Sequence, residues 1–212
     1  MKKNSHPYHY SDGKSGLQRL IDIGVPLGLF WVYFQFYNFG KITPSEMIKT
    51  TGLLAVALLA LTLFIGPACR FFPFLDILKA HRKFWGILSF FIGFAHAALI
   101  YIFYFNYNLS KLFDPASPKY YGLLTGLAAL VILLTVVLSS NQKVLNLISP
   151  KAWKLVQSAS YFALIFAVLH FYLIESTNGV LVIKRLLGQI TFWFAALVVL
   201  VRLIVMILPG KK

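Results

Sequence analysis

The chain has 212 residues, of which 59% are apolar or aromatic and only 12% charged. Soluble domains carry about 25% charged residues, and a mean hydropathy of +0.76 leaves too little polar surface to keep a globule dissolved. The same numbers exclude intrinsic disorder. The charge is lopsided, with 20 Lys and Arg against 6 Asp and Glu, formal net +14.

In chain order, a polar tail over residues 1–20 holds Lys2, Lys3, Lys14 and Arg19, with His6 and His9 read as solvated. It resembles a signal-anchor flank, because the apolar run behind it is long and lacks a small-residue cleavage pattern. Six apolar runs follow: Ile21–Tyr37, Leu53–Cys69, Phe84–Phe105, Gly122–Leu138, Ala152–Ile174 and Leu186–Leu208. Each is near the ~20 residues that cross a ~30 Å hydrocarbon layer. Helices are the expected form, since every backbone N–H must be paired within its own segment. The fold class read from this pattern is an all-α, six-helix transmembrane bundle over residues 21–208. No internal repeat is evident, and no room is left for a soluble domain.

With the N-terminus placed in the cytoplasm, fourteen of the twenty cations fall on the inner side. The outer six are Lys41, Lys49, Lys111, Lys119, Lys184 and Arg185. This positive-inside bias predicts that both termini are cytoplasmic. It explains the net charge through topology and contact with the lipid bilayer, leaving no nucleic-acid partner to invoke.

The single cysteine, Cys69, excludes disulfides, cysteine-based clusters and covalent haem, and reads as a small buried residue. His81 sits beside Arg82 and Lys83 and reads as interfacial. His96 and His170 lie inside spans, where an ionisable side chain usually faces a bundle interior with a partner. His96 is about 20 Å past Lys83 and His170 about 24 Å past Lys154 at 1.5 Å per residue, so both belong to the outer leaflet at one level. Two imidazoles at one depth on different helices are what a bis-histidine haem b requires. Gly93, Ala163 and Ala167 offer clearance on the same faces. Simple hydrogen bonding of each histidine to a neighbouring helix is the equal alternative. Zinc lacks a third ligand at that depth. Near the inner boundary, Arg82, Ser139, Ser140, Gln157 and Arg202 read mostly as snorkelling and helix-end groups. No catalytic triad, phosphate loop or dinucleotide fingerprint is present.

Several stretches resemble the MsrQ (YedZ) family of ferric-reductase-like transmembrane domains. Thr51-Gly52, Ala57 through Leu63, Pro67 and Arg70 look like its second span. His81-Arg82-Lys83-Phe84-Trp85-Gly86, ending at His96, is similar to its third. Leu134-Thr135 to Ser139-Ser140, then Trp153-Lys154-Leu155-Val156, resembles its fourth-to-fifth passage, and His170 falls where the last family histidine is expected. The resemblance covers residues 51–206. It implies a haem b electron-transfer subunit of a bacterial inner membrane rather than a self-contained enzyme. Its donor would be a cytoplasmic flavin reductase or the quinone pool, and its acceptor a periplasmic molybdopterin methionine sulfoxide reductase. A stand-alone ferric or cupric reductase, a quinol-linked cytochrome b, and a haem-free scaffold or transporter are the alternatives. In one respect the chain departs from the family: Gln157 stands where a histidine precedes the last one by 13 residues. Gln is a poor iron ligand, so one haem is predicted, between His96 and His170. A second cofactor (haem, FMN or quinone) would use Arg82, Gln157 and Arg202, whose cations suit propionates or a phosphate.

Overall fold

A computed structural model describes residues 15–207. Among them six helical stretches are long and apolar enough to cross a membrane. Residues 1–14 and 208–212, with His6, His9, Lys2, Lys3 and Lys14, lie outside the described residues.

Helix α1 (Gly16–Val32) begins earlier than the apolar run because Ser15 and Gln18 form a reciprocal capping box. It runs on as a π-turn over Tyr33–Tyr37. Helix α2 (Pro44–Phe71) is nine residues longer at its start than its apolar run, since Thr43 caps it and Pro44 suits a first turn. A 3-10 helix (Pro73–His81) leads into α3 (Arg82–Phe103). Phe72, Phe74 and Ile77 stand exposed on that lead-in. Then come α4 (Tyr120–Ser139), the short α5 (Gln142–Leu147), α6 (Pro150–Ser158) and α7 (Ser160–Glu175). The fifth span is therefore two helices broken at Ala159. A two-residue Asn178-Gly179 turn, with φ of 54° and 77°, joins β1 (Ser176–Thr177) to β2 (Val180–Leu181). Helix α8 (Leu186–Ile207) completes the bundle.

Helix α2 is the centre. Its most apolar window is 67% buried, against 11–28% for the other five spans. Leu59, Ala60 and Leu63 of α2 meet Phe90 of α3, Leu133 of α4, Ala163 and Leu164 of α7, and Ala195 and Val198 of α8. The tightest pairings are α2 with α3 and α4 with α7. The bundle is thus two helix pairs facing one another, and exposed Trp31, Phe91, Phe94 and Leu200 are left for lipid.

Two prolines inside helices set cross-helix bonds. A proline frees the carbonyl four residues earlier by having no N–H to give it. Pro26 frees the Asp22 carbonyl, which accepts Trp85 Nε1 at 3.1 Å. Pro67 frees the Leu63 carbonyl, which accepts the Tyr161 hydroxyl at 3.0 Å. At the other end, Arg185 makes a forked pair with Glu46, at 2.8 and 3.0 Å, and also donates to the Tyr37 carbonyl. The carboxylate holds the Arg185 guanidinium above its ordinary pKa. Lys119 donates to the carbonyls of Leu173, Ile174 and Ser176, capping the end of α7.

His81, read as interfacial, is enclosed by protein. It is 0% exposed, with Nδ1 2.8 Å from Asp22 Oδ1 and its ring stacked on Trp85. The single acid inside the first span supplies a partner that makes its burial tolerable.

Candidate functional site

Helices α3 and α7 bring His96 and His170 together across the seam between the two helix pairs. Their ring centroids are 6.2 Å apart and their planes stand at 82°. His96 Nδ1 lies 2.8 Å from the Ile48 carbonyl, and His170 Nδ1 lies 2.7 Å from the Gly122 carbonyl. A carbonyl only accepts, so each Nδ1 carries the proton and each Nε2 keeps its lone pair.

Both histidines sit in the same kind of seat. Four residues beyond each carbonyl, one turn along the helix, stands a glycine: Gly52 on α2 and Gly126 on α4. A Cβ on Gly52 would lie 2.9 Å from His96 Cε1, and one on Gly126 would lie 2.7 Å from His170 Nδ1. Only a residue without a side chain lets the ring reach the carbonyl past it. Both bonds span 48 residues of sequence, and a shift of 74 residues carries Ile48, Gly52 and His96 onto Gly122, Gly126 and His170. The two helix pairs are therefore an internal repeat in geometry, which the sequence pattern did not reveal.

The seat recurs one tier away. Arg82 Nε donates to the Thr62 carbonyl at 3.0 Å. Four residues on is Gly66, where a Cβ would lie 3.3–3.5 Å from Nη1, Nη2 and Cζ of Arg82, so the guanidinium lies flat on it. Gln157 Nε2 approaches the Val136 carbonyl at 3.4 Å, and the residue four further on is Ser140. Gln157 Nε2 also donates to Ser139 Oγ and Ser140 Oγ, each at 3.1 Å. The second tier thus places a guanidinium and an amide against equivalent carbonyls of α2 and α4, with Gln157 one residue out of the 74-residue register.

The structure brings two of the three inner-site residues Arg82, Gln157 and Arg202 together. Arg82 Nε and the Tyr161 hydroxyl donate to adjacent carbonyls of α2, those of Thr62 and Leu63, and the Arg202 Cζ stands 4.8 Å over the Tyr161 ring, so both cations meet at Tyr161. Gln157 is one turn before Tyr161 but is bonded to α4 instead. Gly93 meets Ala55 and Leu130 at an ordinary 3.8 Å, and Ala163 lies in the bundle core. Clearance for the rings comes from Gly52 and Gly126, not from those two. The signal for both glycines was the equal Gly-to-His interval in each half.

The pair fits a bis-imidazole haem. Two imidazoles facing each other with ring centroids 6.2 Å apart, each with Nε2 free, are a donor set that would hold such a group. The backbone bonds at Nδ1 are the outer-shell contacts that fix a ligating imidazole's tautomer and orientation. Among the described residues, no three His, Cys, Asp or Glu side chains gather into one group.

Six apolar helices, with two imidazoles facing each other across the central seam, define a polytopic all-α membrane protein. A family model described as ferric reductase like transmembrane component matches residues 51–168. That is more than half of the chain, and the chain belongs to this family. The matched stretch holds Gly52, Arg82, His96, Gly126 and Gln157, and it ends two residues before His170. Domains of this family generally bind haem. No curated protein matches the sequence.

Proposed function

We propose that the chain is a haem b-bearing electron-transfer subunit of a bacterial inner membrane, with His96 and His170 as the residues that would hold one haem. The observation that carries this reading is the facing pair of imidazoles, 6.2 Å apart, each with Nδ1 committed to a backbone carbonyl. When bound, haem supplies a one-electron iron couple. The chain's own residues do the rest. The carbonyls of Ile48 and Gly122 hold each Nδ1 proton and aim each Nε2 lone pair away from α2 and α4. Two ligating imidazoles leave no open position for a substrate, which favours electron passage over chemistry at the metal. The lipid-facing apolar shell keeps water from the seam. Electrons would come from a cytoplasmic flavin reductase or a quinol and pass to a periplasmic acceptor, a molybdopterin methionine sulfoxide reductase.

His96→Ala and His170→Ala should each abolish the reduced-minus-oxidised haem b spectrum of the purified chain, and an unchanged spectrum in both variants sinks the assignment. A stand-alone ferric or cupric reductase is the second reading, favoured by the family's own description. It requires metal reduction by the isolated, pre-reduced protein, whereas the first reading requires a periplasmic molybdoenzyme as acceptor. A colourless protein after haem supplementation would favour a haem-free scaffold.

A further inference from the structure

The second tier carries charge that no acid among the described residues pairs with. Arg82 opens α3, and Arg202 lies five residues before Ile207, about 7.5 Å along the helix. Both are half-buried. Cations in or near a hydrocarbon layer need a partner. The described acids are all engaged elsewhere or remote. Asp22 holds His81, Asp76 holds Lys79, and Glu46 holds Arg185. Asp114 accepts from a loop amide, and Glu175 ends α7 at the opposite face.

These two guanidiniums are also fixed in place. Arg82 is bonded at Nε and lies flat on Gly66, which leaves the Nη1 and Nη2 donors of its fork uncommitted. Arg202 is stacked on Tyr161, and that ring is anchored by the carbonyl that Pro67 frees. A rigid pair of planar forks with donors to spare matches an oxyanion. Apolar side chains flank both cations in sequence: Phe84, Leu203 and Ile204 are exposed. A ligand with a phosphate at this depth and hydrocarbon beside it is a membrane lipid.

We propose that Arg82 and Arg202, brought together at Tyr161, form a phosphate-binding site that takes the headgroup of an anionic phospholipid. The seat that holds a ligating ring in one tier holds an anion receptor in the other. The phosphate supplies a counter-charge that the described residues do not, and it ties α3 to α8.

The test uses the full chain in neutral detergent, loaded from phosphatidylglycerol or phosphatidylcholine vesicles and read by native mass spectrometry. Phosphatidylglycerol should be retained at about one per chain and phosphatidylcholine should not. Arg82→Gln and Arg202→Gln should each lower retention by about tenfold, the scale of a lost charge-assisted pair. Lys143→Gln, on the exposed face of the short helix α5, should leave it unchanged. Arg202 makes no hydrogen bond to the other helices in its described contacts, so Arg202→Gln and Arg202→Lys remain informative if Arg82 variants misfold. Arg202→Lys keeps the charge but loses the fork, and should retain less lipid than the parent. Displacement of the lipid by millimolar inorganic phosphate would overturn the lipid as occupant and assign a soluble oxyanion. Equal retention of both lipids, or retention unaffected by either glutamine substitution, would overturn the site. The readout is lipid, so the site stands or falls separately from the haem reading.

Discussion

The two ring-seating glycines differ from every other described glycine in what a methyl group would strike. At Gly126 a Cβ would fall 2.7 Å from His170 Nδ1, the atom that holds the Gly122 carbonyl. At Gly52 it would fall 2.9 Å from His96 Cε1. Neither ring can retreat without losing its carbonyl bond. Gly126→Ala should therefore disturb His170 most, and Gly52→Ala somewhat less, each at about 1–3 kcal/mol of overpacking. Gly93→Ala meets only contacts at 3.8 Å and should be neutral or slightly stabilising. The haem-to-protein ratio and the thermal midpoint of the three variants check this, and loss of haem from Gly93→Ala but not Gly126→Ala would reverse the assignment of clearance. The histidines themselves were legible because an ionisable residue within an apolar run stands out. The glycines were not, because small residues are common in membrane helices for packing alone. Only the contact with a ring, 44 positions further along the chain in each half, separates Gly52 and Gly126 from Gly93.

At the scale of elements, α1 is the outlying helix, packing only lightly against α2 and α3. It is held by two bonds to the start of α3: Asp22 Oδ1 with His81 Nδ1 at 2.8 Å, and the Asp22 carbonyl with Trp85 Nε1 at 3.1 Å. The first is a buried polar pair. Removing one member of such a pair costs about 3–5 kcal/mol, whereas replacing both by apolar groups is often neutral. His81→Leu should therefore lower the thermal midpoint sharply, and Asp22→Leu combined with His81→Leu should recover much of the loss. Additive losses in the double variant would show that the pair contributes little as a pair. The spans were readable from apolar runs, but this tie was not. His81 sits between Lys79 and Arg82 in sequence, and such neighbours read as a wet loop. Burial there depends on an aspartate 59 residues away and on a proline that frees its carbonyl. The broken fifth span was similarly hidden, since Ala159 is a good helix former and nothing local marks the break.

For the whole molecule, the asymmetry of the two tiers makes orientation a functional matter. His96 is seven residues from the end of α3 at Phe103, and His170 five from the end of α7 at Glu175, whereas Arg82 opens α3 and Arg202 nears the end of α8. The imidazole tier therefore lies toward one face of the membrane and the guanidinium tier toward the other. The positive-inside bias of the sequence predicts that the guanidinium face is the cytoplasmic one. An alkaline phosphatase fusion within the loop at residues 106–118 should be active, and a fluorescent protein fused after Lys212 should fluoresce. The reverse pattern would put the histidines near the cytoplasm and remove the periplasmic acceptor from the proposal. Haem content bears on the same asymmetry. The second tier offers a guanidinium, which cannot give up its proton to bind iron, and an amide already bonded to Ser139 and Ser140. The purified chain should thus hold about one haem, with both ligands in a single tier. If pigment analysis returned two bis-imidazole haems per chain, iron would have to find ligands where the chain presents Arg82 and Gln157, and the division of labour between the tiers would fail.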